Sequence, residues 1–172
     1  MGTVRFRLHA AVCGAFLFAM TSLAQQAPAP VPPGLLAAKK VFVSNAGSDS
    51  GLFPHPFSGI PERPYQEFYA DLQASGLYQL VENPSDADLV FELRLTAPYG
   101  PSTADKAKGA SDPLPMIRLV IFDRQTHYVM WALTESIEGA FMQKGHDNNL
   151  DEAIEALVTD LKQTIGKSPT TK

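Results

Sequence analysis

Between residues 88 and 96, Leu89, Phe91, Leu93 and Leu95 alternate with Asp88, Glu92 and Arg94. Successive side chains of a strand point to opposite faces, so this period of two commits the chain to a sheet with one buried face and one mostly polar face. Something must cover the leucine face, and two stretches have the right period. Tyr65, Phe68, Tyr69 and Leu72 recur at helical spacing behind Pro64, with Gly76 placed to end the helix. Leu150, Ile154, Leu157, Val158, Leu161 and Ile165 form a second stripe. For it, Asn149 is the expected N-cap, Glu152 completes a capping box and Gly166 closes the helix. Further β-rich runs lie at 40–44, 77–82, 116–122 and 128–134. The first run stops at Asn45-Ala46-Gly47. Asn83-Pro84-Ser85-Asp86 supplies a tight reversal between the second and third runs, and 123–127 has hairpin length. The expected fold is α+β: a two-layer sandwich with a mostly antiparallel sheet of about five strands, its later strands in meander, and two helices on one face.

The start of the chain has a different character. Arg5 and Arg7 precede the apolar run 10–20, and Ser22 and Ala24 are the small residues a signal peptidase reads, so 1–24 is predicted to be a secretory signal cleaved near Ala24. That run is too short to span a bilayer, and no other stretch is longer, so no transmembrane segment is expected in the mature chain. Val12 before Cys13 opposes a lipoprotein signal. Residues 25–38 carry four prolines between Pro28 and Pro33 and are predicted to be a spacer, followed by one domain at 39–166 and a polar tail at 167–172. At 45% hydrophobic and 19% charged, the chain has the composition of a packed globule rather than a disordered one. Cys13 is the only cysteine, so a cleaved chain has neither a disulfide nor thiol chemistry. Beyond residue 24 there are 12 basic and 18 acidic side chains, a net −6 that argues against a nucleic-acid partner.

Several polar groups invite a catalytic reading. Asp49-Ser50-Gly51 has the look of a nucleophile loop, but a serine nucleophile needs a positioned histidine and an oxyanion hole, and the exported chain has three histidines in a mixed α/β pattern. Loop chemistry accounts for these residues. A hydrolase site between the long loops 46–64 and 97–115, drawing on 48–55 and 105–112, is the alternative function. His55, His146, Asp49 and Asp147 are the conceivable metal ligands, yet no pair has the spacing that puts two on one helix face. Asp86, Asp88 and Glu92 read as solvated strand and turn residues rather than a glycosidase pair. Tyr65, Phe68 and Tyr69 could line a small-ligand site, although such a stripe is more often core. No cofactor is expected.

The order strand, helix, Gly76 to Val81, Ala87-Asp88-Leu89-Val90, and then Leu119 to Trp131 resembles small exported bacterial envelope domains. These are the TolB amino-terminal domain, the CsgG-like assembly lipoproteins and the LpoB-like activators. His127 stands where that group usually has glycine. The resemblance implies a non-catalytic accessory or assembly role over residues 39–166. Period-two alternation then gives the place to look. With Leu93, Leu119, Ile121, Val129 and Trp131 inward, the opposite face carries Val90, Glu92, Arg94, Arg118, Val120, Phe122, Tyr128 and Met130. Aromatics, Met and Arg are the types enriched at protein interfaces. Glu92, Arg94, Arg118, Phe122, Tyr128 and Met130 are therefore the candidate binding residues, for an envelope protein partner or for self-association.

Overall fold

The computed structural model describes residues 30–97 and 115–166; the segment expected to be a signal, most of the second long loop and the polar tail lie outside them. The elements are α1 (Pro33–Ala37), β1 (Lys40–Ser48), α2 (Arg63–Ser75), β2 (Gln79–Leu80), a 3-10 turn (Pro84–Asp86), β3 (Leu89–Thr96), β4 (Met116–Asp123), β5 (Val129–Ser136) and α3 (Gln143–Gly166). The five strands form one open sheet in the order β2-β1-β3-β4-β5, and α2 and α3 lie side by side on one face of it.

The α+β architecture with five strands and two main helices on one face is as the sequence implies, and within the mostly antiparallel sheet β1 makes parallel pairings. β1 pairs in parallel with β2 on one side and with β3 on the other, while β3-β4 and β4-β5 are antiparallel. The expected reversal at Asn83–Asp86 therefore does not fold β3 back onto β2. Asp88 explains why. Its Oδ2 accepts the backbone N–H of Lys39 and of Lys40, both at 2.9 Å, and its own N–H donates to the Lys40 carbonyl at 2.8 Å. The start of β3 is thereby fastened to the start of β1, and α2 supplies the long crossover that a parallel pair needs.

Each buried face follows the alternation. Val41 and Val43, Leu89 to Leu95 in steps of two, and Ile117, Leu119 and Ile121 are all buried beneath Phe68, Leu72, Leu150, Ile154, Leu157, Val158 and Leu161. Gly76, at φ 65°, caps α2 in the left-handed region that glycine enters without penalty.

Four local expectations are corrected. β1 runs on to Ser48, through an irregularity between Asn45 and Ser48 where Gly47 has φ 84°. α3 begins at Gln143, so Asn149 is not its N-cap; the Asn149 side-chain amide instead donates to the Glu138 carbonyl at 2.8 Å. Residues 33–37, expected to be spacer, are helical instead (Pro33–Ala37), and Leu35 is wholly buried, its carbonyl accepting from the Tyr78 hydroxyl at 3.4 Å. The loop before α2 is likewise part of the core. Phe57 is wholly buried and Leu52 nearly so, and Phe57 meets the His146 ring edge-on at 6.2 Å.

Candidate functional site

The sheet face turned away from the helices is covered by no other element among the described residues. The register of four strands arranges its side chains in rows. Phe42, Val90, Phe122 and Val129 are consecutive cross-strand partners and form an apolar row. Ser44, Glu92, Val120 and Ala132 make the next, and Arg94, Arg118 and Thr134 the third. Cross-strand neighbours stand close enough to act as one surface. The result is an apolar row and a basic row with one mixed row, carrying Glu92, between them.

Arg94 and Arg118 sit directly opposite each other, an arrangement that destabilises a sheet unless one charge is balanced. Asp49 balances Arg94: its Oδ1 accepts from Arg94 Nη2 at 3.0 Å, and its Oδ2 accepts the Ala97 N–H at 3.0 Å. Arg94 and then the Ala97 N–H hold the Asp49 carboxyl below its ordinary value. The residue weighed as a nucleophile-loop acid and as a metal ligand is thus a latch between the ends of β1 and β3. Ser48 Oγ is likewise engaged, donating to the Pro61 carbonyl at 2.9 Å.

Of the candidate binding residues, Glu92, Arg94, Arg118 and Phe122 lie on the outer face. Tyr128 lies in the turn before β5, 76% exposed. Met130 does not belong to this face. The β4-β5 register slips between Ile121 and Phe122, so that Trp131 pairs with Ile121 and Val129 with Phe122, leaving Met130 as the extra residue of a bulge. Met130 packs against the core, so close to α1 that a Cβ on Gly34 would come within 2.7 Å of its Cε. The same slip moves Val129, expected inward, to the outer row. Sequence reasoning also missed Phe42, although the alternation of Val41 and Val43 about it carries the signal.

The other polar groups are structural where their partners are seen. Arg63 is the hub: Nε donates to Glu67 at 2.7 Å, Nη1 to Asp147 at 2.7 Å and Nη2 to Asp151 at 2.5 Å. Burial works against the Arg63 charge, but the hydrogen bonds to Glu67 and Asp147 outweigh it and raise the guanidinium further. Burial pushes the Glu67 carboxyl up despite Arg63, and its Oε2 is buried without a partner among the described residues. Asp147, considered above as a metal ligand, accepts both Arg63 and the Ser58 N–H, which together overcome burial and lower its carboxyl. Among the described residues no three His, Cys, Asp or Glu side chains are grouped to hold a metal ion. Asp88 is spent on backbone amides and points away from the use imagined for it with Asp86 and Glu92. In α2, Phe68 is core, and Tyr65 and Tyr69 pack partly against it with ring centroids 6.0 Å apart. The 105–112 half of the alternative hydrolase site lies outside the described residues.

The class defined so far is an open-sheet α+β domain with helices on one face and, among the described residues, no element on the other. No protein-family model matches the chain, and no curated protein does. Three bacterial proteins are among the solved structures that resemble it. A PelC dodecamer from Paraburkholderia phytofirmans is 14% identical with a TM-score of 0.46, over 70% of this chain and 85% of that one. A DUF4136 family protein from Bacteroides thetaiotaomicron is 12% identical with a TM-score of 0.49, over 82% and 92%. TolB from Acinetobacter baumannii is 13% identical with a TM-score of 0.34, over 72% of this chain and 29% of TolB. Among the described residues no helix is long and apolar enough to cross a membrane.

Proposed function

We propose that the chain is an exported, non-catalytic binding or assembly module of the bacterial cell envelope, and that it holds a protein partner on the outer face of its sheet. The observation that carries this reading is the row Phe42, Val90, Phe122 and Val129 on the same face as Arg94 and Arg118, one row removed from them. An ordinary solvated face is built from Lys, Glu and Thr, whereas a face that carries a row of aromatic and branched residues, with arginines further along it, has the composition of an interface core and its rim. Apolar surface of this kind gains free energy when a partner removes it from water. The groups that suggested catalysis have other work: Asp49 holds Arg94 and Ala97, Asp88 holds the start of β1, and Asp147 holds Arg63. The test is the double variant Arg118→Glu with Phe122→Ser. Neither side chain supports the core, so melting temperature should be unchanged while recovery of the partner from the native envelope fraction falls at least tenfold. Undiminished recovery contradicts the reading.

A further inference from the structure

α3 packs against α2 along one flank and against β5 along another. On each flank an acid of α3 meets an acid of its neighbour. Asp151 faces Glu67 of α2 and Asp160 faces Glu135 of β5, each pair within hydrogen-bonding reach. Positions 151 and 160 are nine residues apart, about two and a half turns, so the two acids stand on opposite sides of the helix. Two ionised carboxylates are acceptors only, so a pair this close needs a proton to join it. Arg63 crowds the first pair further. Its Nε donates to Glu67 Oε1 and its Nη2 to Asp151 Oδ1, so one guanidinium draws both acids together, while its Nη1 is taken by Asp147. Three carboxylates around one cation leave an excess of negative charge. Glu67 Oε2 is buried and no donor reaches it among the described residues, a place where an ionised oxygen is costly and a protonated one is not. The next acids along the two helices, Asp71 and Glu155, are a turn away, and the loop before α2 brings the uncharged Ser58 to the cluster. His146 rests its ring on Phe57 and makes no ion pair with these acids among the described residues. The second pair has no cation: among the described residues neither Glu135 nor Asp160 makes an ion pair. Glu138 and Glu152 line the same cleft as Glu135, and β4 presents the apolar Ile117 beside it. Burial leads in pushing both glutamate carboxyls up; Arg63 opposes it at Glu67, and the partner aspartate adds to it at each.

We infer that α3 is latched by two protons, one shared by Glu67 and Asp151 and one by Glu135 and Asp160, and that losing them as pH rises loosens α3 from α2 and β5. The loop before α2 moves with the helix. Asp147 accepts the Ser58 N–H and Gln143 Nε2 donates to the Pro54 carbonyl, both at 2.8 Å, so a loosened α3 uncovers the buried Phe57. A carboxyl raised in the folded state contributes stability that is complete below its unfolded value, about 4.3 for Glu, and is lost as pH rises through the folded one. The latch is therefore closed in mild acid and slackens toward alkali. It belongs to the covered side of the sheet, so its failure leaves the reading of the outer face untouched.

The test uses the whole chain. Amide hydrogen exchange, corrected for the intrinsic effect of pH on exchange, should show protection in α3 falling by at least about fivefold between about pH 5 and pH 8, the lower end of ordinary coupling between two equilibria. β3, at the centre of the sheet, should keep its protection over the same range. Glu67→Gln with Glu135→Gln supplies an amide N–H in place of each shared proton and should hold the protection of α3 constant. By carbon NMR the Glu67 and Glu135 carboxyls of the wild-type chain should titrate above the ordinary Glu value of about 4.3. Asp151→Asn, which offers Glu67 a donor that needs no shared proton, should bring Glu67 back toward that value and leave Glu135 high. The wild-type titration decides the matter if the double variant does not fold. Glutamates that titrate at the ordinary value overturn the inference. So does α3 protection that falls alike in the wild type and the double variant, or that falls together with the protection of β3.

Discussion

Phe57 shows how a single side chain changes the meaning of a segment. The stretch 46–64 reads in sequence as a long loop rich in Gly, Ser and Pro, yet Phe57 and Leu52 are buried in the core, and Phe57 meets His146 at the start of α3. Phe57→Ala should cost about 3–5 kcal/mol in urea unfolding; a loss under about 1 kcal/mol would mean that the loop does not close on the core. Arg63 makes a parallel point for polar residues. Removing it in Arg63→Ala leaves Glu67, Asp147 and Asp151 facing one another, and the expected loss is about 2 kcal/mol, reduced from that of a fully buried pair by the partial exposure of the cluster. Acid stability follows from the carboxyls. Asp49, Asp88 and Asp147 are held below their ordinary values, so the ionised forms favour the fold; that stability is complete above the unfolded values near pH 4 and is lost as pH falls through the folded ones. Glu67 and Glu135 are raised, the first by burial against Arg63, the second by burial and then by Asp160, and their cost when ionised is relieved as pH falls from neutrality. The urea midpoint should therefore rise slightly from pH 7 toward pH 5 and drop below pH 4, with Asp88→Asn blunting the drop. A midpoint that fell steadily from pH 7 would contradict these assignments.

At the scale of elements, β3 and β4 were legible because their alternation is unbroken and one face of each is fully buried. β5 was legible as a strand but its faces were assigned with one error. A bulge adds a residue without leaving a mark in the pattern of hydrophobicity, so Met130 and Val129 exchanged sides. The start of α3 was hidden for a related reason: Asn149 and Glu152 satisfy the capping-box rule, while the two turns before them carry no apolar stripe and are held by contacts with Pro54, Phe57 and Ser58 that only the folded chain brings near. α1 was masked by composition. Proline-rich sequence suggests a spacer, and Leu35 is a lone hydrophobic signal, yet it fills the end of the core beside Tyr78 and Phe91. Leu35→Ala should destabilise the domain by about 2–5 kcal/mol, measured by chemical denaturation. A neutral outcome would return residues 33–38 to the spacer.

For the whole molecule, the layer arrangement was readable and the strand order was not. Two amphipathic helices and one-sided strands dictate a sandwich, but the position of β2 depends on where Asp88 finds its amide donors, a long-range choice that local turn chemistry at Pro84 does not reveal. The outer face was located by alternation alone, as to Glu92, Arg94, Arg118 and Phe122; its apolar row emerged only when the register placed Phe42 and Val129 beside Val90 and Phe122. That row is the centre of the functional reading. It is tested most directly by placing a photo-reactive residue at position 122 in the native envelope, with position 155 on the exposed side of α3 as the control. The expected result is a discrete heavier adduct with another protein from position 122 that is lost in Arg118→Glu and absent from position 155. Equal labelling from both faces, or reaction from position 122 only within its own chain, would contradict the account.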